Sequence, residues 1–499
     1  MTRGDRPTAA AAGSDRLDRY DLLSLGGLTL LGGLLRAAYL TLLEVPLYDP
    51  WRHLLLVRNL RDGLGFTLFD GQPYLWYSPL WYQICAALPR GVGMEWLAGL
   101  FSWLSVPLTW LLLRRGLPGG GRRAALAGGL LMAACGPIVR FTCHYGAEGL
   151  ALFLCLAALL LVARRPGTTA GLVGGLAVGV AMVLRLNFGV CALLCVPFLR
   201  NVPRASAFLV ASAAPLALTW WRNHRIIGSH EWLFTWDGLA TRSADFNLLS
   251  TLVPQMHPAL RDGLRRLHET VVPAPEWLRG PDGIAWMLIL FVVCGLAAVS
   301  WSRRGALVLA TGAALAYFLV LDRSLSSNFF RVWLPVFPCF VLAASLAVAR
   351  HRQRTGRTLA WLLVAGMLVG GAGMLRPVEG PPLAMVTPPE EPPEAPCTLV
   401  NSGFYHPESL LYRFPGRVFL GLPLEPGQLE EFLAAHPSCE QVLWHDFSVQ
   451  GELADHLVSR AGFEVSARQV NRFGRGYVLL RPRKEKGLRD RSPAAPLSD

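Results

Sequence analysis

The sequence predicts an all-α polytopic membrane protein followed by a small α/β domain at the C-terminal end. Of the 499 residues, 53% are hydrophobic and only 16% are charged, whereas soluble proteins carry about 25% charged residues. Apolar stretches recur along the chain, and each is close to the roughly 20 residues that cross a bilayer. A soluble multi-domain enzyme is therefore excluded. The net charge of +13 does not indicate a nucleic-acid partner, because the Arg residues cluster between apolar stretches, as membrane topology requires.

Short basic loops belong in the cytoplasm, which gives about 11 transmembrane helices with the N-terminus inside and the C-terminal domain extracytoplasmic. The expected spans are 22–45, 96–113, 122–142, 146–163, 170–184, 187–200, 205–226, 284–301, 305–321, 329–349 and 357–375. If the apolar stretch 78–93 crossed the membrane, every later Arg cluster would lie outside the cell. We therefore expect a half-buried or interfacial helix there, within the first outer loop. The predicted location is the plasma (inner) membrane.

The domain organisation follows from changes in composition. We expect a cytoplasmic tail (1–21), a transmembrane domain (22–376), a Pro-rich linker (377–396), an α/β domain (397–482) and a disordered tail (483–499). In the α/β domain, short β-like runs such as "RVFLGL", "QVLWHDF" and "GYVLLRP" alternate with helical patterns. Cys397 and Cys439 lie there, and they would form a disulfide only in an oxidising compartment. The sequence leaves that pairing open.

Asp49 is the first candidate for chemistry, because it directly follows the first apolar stretch and precedes Pro50. From that point the pattern predicts an amphipathic helix on the bilayer surface, with Arg52, Arg58 and Arg61 on its polar side. Asp is favoured at helix starts, so Asp49 fits a capping role. It equally fits a general base at the mouth of a lipid-facing cavity. Spacing alone leaves both roles open.

The segment after Asp49 resembles the first outer loop of the GT-C superfamily of membrane glycosyltransferases, which includes protein O-mannosyltransferases and aminoarabinose transferases of lipid A. Arg58 follows nine residues later, "DGLGF" supplies a turn, and "GQPYLWYSPLW" (71–81) matches a final "SPLW" motif. The superfamily often has a second acid beside the first, but here Tyr48 or Pro50 takes its place. One carboxylate is a poor divalent site, so the cofactor stays unknown and a divalent metal stays open.

Four later segments resemble the superfamily in the same order. Glu148 in "VRFTCHYGAEGLALFLC" stands where an acidic residue opens a helix after the second outer loop. "LRLNFGV" (184–190) resembles a recurrent step in which Leu186 takes a Pro position. "TWWRNHRIIGS" (219–229) and "NFFRVWLPVFPCF" (328–340) are similar to two further superfamily segments.

The resemblance implies an inverting glycosyltransferase, hexosyl or pentosyl, that takes a sugar from a polyprenyl phosphate on the extracytoplasmic face. The acceptor would be a hydroxyl of a glycan, lipid or protein. Asp49 is the expected general base, and Glu148 a second catalytic residue that anchors acceptor or metal. A phosphate leaving group needs cations. The expected phosphate and substrate ligands are Arg52, Arg58, Arg225, Arg331, Arg185 and His230.

Other interpretations of these residues remain. Each Arg also fits a snorkelling side chain at the headgroup level. A cluster of His224, His230, Glu231 and Asp237 matches no recognised metal template, so a substrate loop is preferred there. Isolated charges in lipid are costly. We therefore expect Arg36, inside the first span, and Arg185 to face partners in the protein interior.

Two other function classes compete with the enzyme. A transporter would need internal repeats and broken helices near the bilayer midplane, and the sequence contains no convincing repeat. A catalytically inactive scaffold of a cell-envelope assembly is favoured by the missing second acid at Asp49. The Gly-rich stretch "GLVGGLAVG" (171–179) predicts close helix packing, not a phosphate loop.

Overall fold

The structure is a computed structural model of the whole chain. It describes residues 17–42, 49–67, 78–89, 92–143, 145–227, 307, 310–312, 334–350 and 354–372, and five strands between 397 and 482. The side chains at 42, 49–51, 227, 336 and 350 are outside this description, as are a few between 354 and 372 and most in the strands. Residues 1–16 of the expected N-terminal tail, the linker, the C-terminal tail, and nearly all of spans 284–301 and 305–321 lie outside the described residues.

Helices make up most of the described chain. They are α1 (Arg19–Leu42), α2 (Asp49–Arg61), α3 (Pro79–Ala87), α4 (Met94–Leu111), α5 (Arg122–Ala134), α6 (Gly136–Thr142), α7 (Glu148–Arg164), α8 (Thr168–Leu184), α9 (Val190–Cys195), α10 (Val202–Ile227), α11 (Phe337–Arg350) and α12 (Arg354–Ala372). A π-helical turn, Leu112–Gly116, extends α4, and 3₁₀ turns flank α9 at Leu186–Gly189 and Val196–Phe198. Most ends lie within a few residues of the expected spans, because apolar length and basic loops mark them.

Three described helices are long and apolar enough to cross a membrane, namely Arg19–Thr41, Met94–Gly116 and Val202–Ile226. Helices α5 and α6 together form a fourth candidate, bent by 53°. The predicted count of about 11 spans extends beyond the described residues and stays a prediction. Helix α3 has nine residues, so it rises about 14 Å. That is less than half of a hydrocarbon core about 30 Å thick, so α3 alone is too short to cross.

The chain divides into two compact units. Unit 1 comprises Met1–Leu43 and Pro73–Pro377, and unit 2 comprises Glu44–Gln72 and Val378–Asp499. Unit 1 therefore holds α1 and α3–α12, and unit 2 holds α2 and the five strands.

Arg36 organises the centre of unit 1. Pro137 has no N–H to donate, so the chain leaves the helical path between α5 and α6, at Cys135. Arg36 is 2% exposed, and it donates to the carbonyls of Met132 (2.9 Å) and Ala133 (3.0 Å) at the end of α5. It also donates to the Ser102 hydroxyl at 2.6 Å. The prediction of inward-facing partners for Arg36 is confirmed.

A second polar group joins three helix ends of unit 1. Arg114, in the π-helical turn, donates to both carboxylate oxygens of Asp21, at 3.0 and 2.8 Å. Arg122, at the start of α5, contacts Asp21 at 3.2 Å and pairs with Asp18. Asp21 is buried, so these ion pairs hold the start of α1 against the end of α4 and the start of α5.

Helices α8 and α10 pack with their backbones in close approach. A β-carbon at Gly171 would lie 2.5 Å from the Arg204 carbonyl oxygen. At Gly175 and Gly179 a β-carbon would meet the carbonyls of Phe208 and Ser212 at still shorter range. Small residues allow such contacts between membrane helices. The prediction that "GLVGGLAVG" serves helix packing is confirmed.

Unit 2 contains a five-stranded mixed sheet. Its strands are β1 (Cys397–Asn401), β2 (Val418–Leu422), β3 (Gln441–His445), β4 (Phe463–Val470) and β5 (Gly476–Pro482), in the order β2-β1-β3-β5-β4. Strand β1 is parallel to β2 and β3, whereas β5 is antiparallel to β3 and β4. Four strands coincide with expected β-like runs. The helices expected between them lie outside the described residues, so the α/β class stays a prediction, as does the Cys397–Cys439 disulfide.

Candidate functional site

The first loop contains the predicted helix. Helix α2 begins at Asp49, where either a cap or a base was expected, and the Asp49 side chain is outside the description. Leu55, Leu56 and Val57 are buried, as are the polar His53 and Asn59. Because consecutive helical residues point in different directions, the burial is not confined to one apolar side. Arg52 and Arg58 are half-buried. Their predicted contact with a donor phosphate stays a prediction.

The turn predicted at "DGLGF" closes α2. Gly63 and Gly65 have φ values of +77° and +80°, which glycine adopts without the steric cost of a β-carbon. The buried Asn59 side chain donates to the Thr67 carbonyl at 2.8 Å, across the turn. The chain therefore reverses within a few residues of the end of the helix.

The "SPLW" motif contacts a second motif within unit 1. Ser78 caps α3, since its hydroxyl accepts from the Leu80 amide at 3.3 Å. Trp81 is 1% exposed, and its indole Nε1–H donates to the Tyr145 carbonyl at 2.9 Å. Tyr145 lies in "CHYGAEG", three residues before Glu148. Two segments that were matched separately to the GT-C superfamily are therefore in contact.

Glu148 and Arg185 form an ion pair. The Glu148 Oε1 and Arg185 Nη2 atoms are 2.5 Å apart, and the two side chains are 2% and 19% exposed. A buried carboxylate is costly unless it is paired, and Arg185 supplies the opposite charge. The prediction of an inward-facing partner for Arg185 is confirmed.

The helix ends favour both charges. Glu148 begins α7, and Arg185 directly follows α8. Only Arg165, Pro166 and Gly167 separate these helices, so they run in opposite directions and the start of α7 faces the end of α8. A helix N-terminus stabilises an anion and a C-terminus stabilises a cation, by about 0.3–1 kcal/mol each at exposed sites.

A small cleft lies beside the pair. Its volume is about 10 Å³, and it is lined by Ser78, Trp81, Tyr82, Ala147, Leu184 and Arg185. That space holds about one water molecule or one hydroxyl group. The cleft thus joins residues from three of the motifs quoted above: "SPLW", "CHYGAEG" and "LRLNFGV".

The end of α10 carries aromatic and cationic side chains. The Arg225 guanidinium carbon lies 5.1 Å from the Trp221 ring centre, and both side chains are exposed. His224 stacks on Trp220, with ring centres 5.7 Å apart and planes within 10°. Arg225 stays a predicted phosphate ligand. Arg331 and His230, predicted for the same role, lie outside the described residues.

The sequence assigned Glu148 and Arg185 to separate roles, and the structure brings them together. The available signal was two lone charges of opposite sign, each at the edge of an apolar stretch. Tyr82 and Tyr145 were not singled out, because each resembles an ordinary aromatic residue of a membrane segment. Within the described ranges, no group of three or more His, Cys, Asp or Glu side chains is arranged to hold a metal ion.

The chain matches no family model, and no curated protein matches it significantly. Among solved structures it is similar to the oligosaccharyltransferase of Archaeoglobus fulgidus in complex with Zn and sulfate. The identity is 14% and the TM-score 0.51, over 91% of this chain and 72% of that chain. The apo form of the archaeal protein matches with 12% identity and a TM-score of 0.47, over 85% and 69% of the two chains.

A third similar structure is the archaeal oligosaccharyltransferase AglB from the same organism, in complex with an inhibitory peptide and a dolichol-phosphate. Its identity is 13% and its TM-score 0.46, over 86% of this chain and 69% of that chain. AglB is a glycosyltransferase of the GT-C superfamily. At such low identity, similarity shows fold and not activity. The match with the TM-score of 0.51 therefore shows that this chain shares its fold with a GT-C glycosyltransferase.

Proposed function

We propose that this chain is a membrane glycosyltransferase that moves a sugar from a polyprenyl-phosphate donor to an acceptor hydroxyl on the extracytoplasmic face. The observation that carries the proposal is the convergence of three GT-C-like motifs in unit 1. Trp81 of "SPLW" contacts the "CHYGAEG" segment, and Glu148 of that segment pairs with Arg185 of "LRLNFGV". Packing alone does not require these motifs to supply a carboxylate, a guanidinium and a cleft at one place.

The shared fold adds a second line of support. The archaeal protein of that fold is an oligosaccharyltransferase, and it has been solved with a dolichol-phosphate. A sugar on a polyprenyl phosphate stays in the lipid, so its transferase needs a membrane fold. The apolar helices α1 and α10 meet that need, since only 22% and 17% of their apolar windows are buried in the protein.

The proposed reaction is a single displacement at the anomeric carbon. The acceptor oxygen forms a bond to that carbon as the bond to the donor phosphate oxygen breaks, and the configuration inverts. Asp49 takes the proton of the acceptor hydroxyl, which is a poor nucleophile when protonated. The electron pair leaves with the polyprenyl phosphate, and Arg52, Arg58, Arg225 and Arg331 stabilise its charge.

The Glu148–Arg185 pair has a different part in this proposal. Because the two charges offset each other, the pair is less suited to holding a phosphate dianion than an unpaired Arg would be. It presents fixed hydrogen-bond donors and acceptors beside a cleft the size of one hydroxyl group. We assign it to binding a hydroxyl of the acceptor or of the sugar.

A metal cofactor is not part of the proposed steps. The archaeal oligosaccharyltransferase structure contains Zn. In this chain the Glu148 carboxylate is already bound to a guanidinium, and the described side chains do not form a metal-binding group. The residues described do not fit a divalent cation at Glu148, so no step is routed through one.

The direct test is transfer from a synthetic polyprenyl-phosphate sugar, measured with purified protein in liposomes. Mass spectrometry of co-purifying lipids identifies the donor. Wild type is expected to retain a polyprenyl-phosphate sugar, and the double variant Arg58→Ala/Arg331→Ala to lose it. Wild type that carries only ordinary phospholipid and transfers no sugar would count against the enzyme.

A second candidate function is an inactive scaffold of a cell-envelope assembly. It is favoured by the single acid at Asp49, where the superfamily often has two. The two functions differ in one cellular result. The Asp49→Asn variant of a scaffold keeps its cellular function at normal expression, whereas the same variant of an enzyme loses it.

A further inference from the structure

Gly149 lies where the first turn of α7 meets two backbone carbonyls. A β-carbon at this position would be 2.5 Å from the Ala98 oxygen and 2.7 Å from the Thr142 oxygen. Ala98 belongs to α4, and Thr142 is the last residue of α6. Backbone atoms cannot rotate out of the way as a side chain can, so every side chain at 149 would move the start of α7.

Hydrogen bonds between side chains restrain the segments of α4 and α6 that carry the Ala98 and Thr142 carbonyls. The Thr142 hydroxyl donates to the Ile138 carbonyl at 2.5 Å and makes a short hydrogen bond with Ser102. Ser102 in turn accepts from Arg36 at 2.6 Å. Thr142 and Ser102 are each 0% exposed and Arg36 is 2% exposed. These bonds connect the centre of α1 to α4 and to the end of α6.

The residue that Gly149 adjoins is Glu148. Its carboxylate lies 2.5 Å from Arg185, so a displacement of α7 by a fraction of an ångström changes the pair. Hydrogen bonds between charged groups depend strongly on distance and angle.

We propose that Gly149 is a positioning residue for the Glu148–Arg185 pair. It lets the first turn of α7 approach the Ala98 and Thr142 carbonyls, which the Arg36–Ser102–Thr142 hydrogen bonds hold in place. The geometric part of this proposal is independent of the reaction, and its consequence for sugar transfer rests on the proposed function.

The test measures coupling between the two charges, with no need for transfer activity. Glu148→Gln, Arg185→Gln and the double variant are made in three backgrounds: wild type, Gly149→Ala and Gly171→Ala. Gly171 is the matched control, because its β-carbon would also meet a backbone carbonyl at 2.5 Å, at the end of α8 remote from Arg185. Thermal unfolding in detergent gives the shift of Tm for each variant.

In wild type and in the Gly171→Ala background, the double variant should lower Tm by less than the sum of the two single shifts, because each single variant already breaks the Glu148–Arg185 ion pair. In the Gly149→Ala background the two shifts should simply add. Coupling that is as large with Gly149→Ala as with Gly171→Ala would overturn the proposal.

Should Gly149→Ala not accumulate, the same cycle is run in Ser102→Ala, which removes the Thr142 contact and keeps Gly149. Reduced coupling is the expected result there, and unchanged coupling overturns the proposal. The outcome is separable from the proposed function: lost coupling in a protein that transfers no sugar would support the positioning role and refute the transferase.

Discussion

Glu148, the first residue of α7, lies 2.5 Å from Arg185, the residue that follows α8. The two side chains carry opposite charges and are 2% and 19% exposed, so each contributes to the charge compensation of the other in the interior. This relationship makes the stability of unit 1 sensitive to either residue.

We therefore expect Arg185→Leu to destabilise the protein more than Arg185→Leu combined with Glu148→Leu. Removing one partner of a buried pair costs about 3–5 kcal/mol, whereas an apolar replacement of both is often neutral. Because Arg185 is partly exposed, we expect the loss of stability in Arg185→Leu to lie near the lower end of that range. Thermal unfolding in detergent measures both values, and equal losses for the two variants would show that the pair contributes no mutual compensation.

Arg36→Met should destabilise unit 1 by about 3 kcal/mol or more, because it leaves buried carbonyls of Met132 and Ala133 without their donor and each such loss costs about 1–3 kcal/mol. The matched control is Arg123→Met, an exposed Arg at the start of α5. Its Tm should stay close to that of wild type. Similar shifts of Tm for the two substitutions would contradict the stabilising role of the hydrogen bonds from Arg36 to the end of α5.

Gly175→Ala should lower Tm, since its β-carbon would collide with the backbone of Phe208 and overpacking typically costs about 1–3 kcal/mol. Gly26→Ala is the control, because a β-carbon there meets nothing within 4 Å. That variant should be neutral or slightly more stable, as Ala favours helix over Gly. Two similar shifts would mean that α8 and α10 adjust to the added methyl group.

Asp49→Asn should reduce sugar transfer by about 10²–10⁴-fold, the usual contribution of a general base, at unchanged expression and Tm. Asp62→Asn tests specificity, since Asp62 is an exposed carboxylate in the turn that follows the same helix. It should retain wild-type transfer. A loss shared by both variants would point to a general charge effect of the loop, and a fully active Asp49→Asn would exclude Asp49 as the base.

The topology is tested by labelling with a membrane-impermeant maleimide in intact cells, with Cys397 and Cys439 replaced by Ser. Arg115→Cys should stay unlabelled, because Arg115 lies in the π-helical turn at the end of α4, within the basic segment 114–123 that is expected inside the cell. Arg90→Cys should be labelled from outside. The reverse pattern would mean that the stretch 78–93 crosses the membrane together with a neighbouring segment.

Much of the fold was predictable because local signals determine it. Apolar length and flanking Arg residues indicated most helix ends, and the glycines of "DGLGF" indicated the turn after α2. The break at Cys135 was missed, although Pro137 was a visible signal, because the flanking residues continue the apolar pattern of one long helix. Strand β4 was missed, although Gly462 precedes it, because "FEVSARQV" has only four apolar residues and is interrupted by Glu464 and Arg468.

The candidate site was predictable residue by residue but not as an arrangement. Motif similarity indicated Glu148, Arg185 and the "SPLW" segment separately. Their contact depends on the antiparallel packing of α7 and α8 and on the close approach at Gly149. Both are properties of the three-dimensional fold that no local sequence pattern encodes.

The bond from Arg36 to Ala133 also affects how the protein is made. Arg36 lies in α1, and its acceptor at Ala133 follows 97 residues later in the chain. At about 5–20 residues per second, synthesis supplies that acceptor about 5–20 s after Arg36. During that interval the guanidinium has the Gly32 carbonyl of its own helix as an acceptor but not the carbonyls of α5, and translocon insertion scales place an Arg at the centre of a helix at about 2.5–3.5 kcal/mol. Because α4 and α5 supply the remaining partners of Arg36, we expect α1 to become more stable in the bilayer once these two helices have been synthesised.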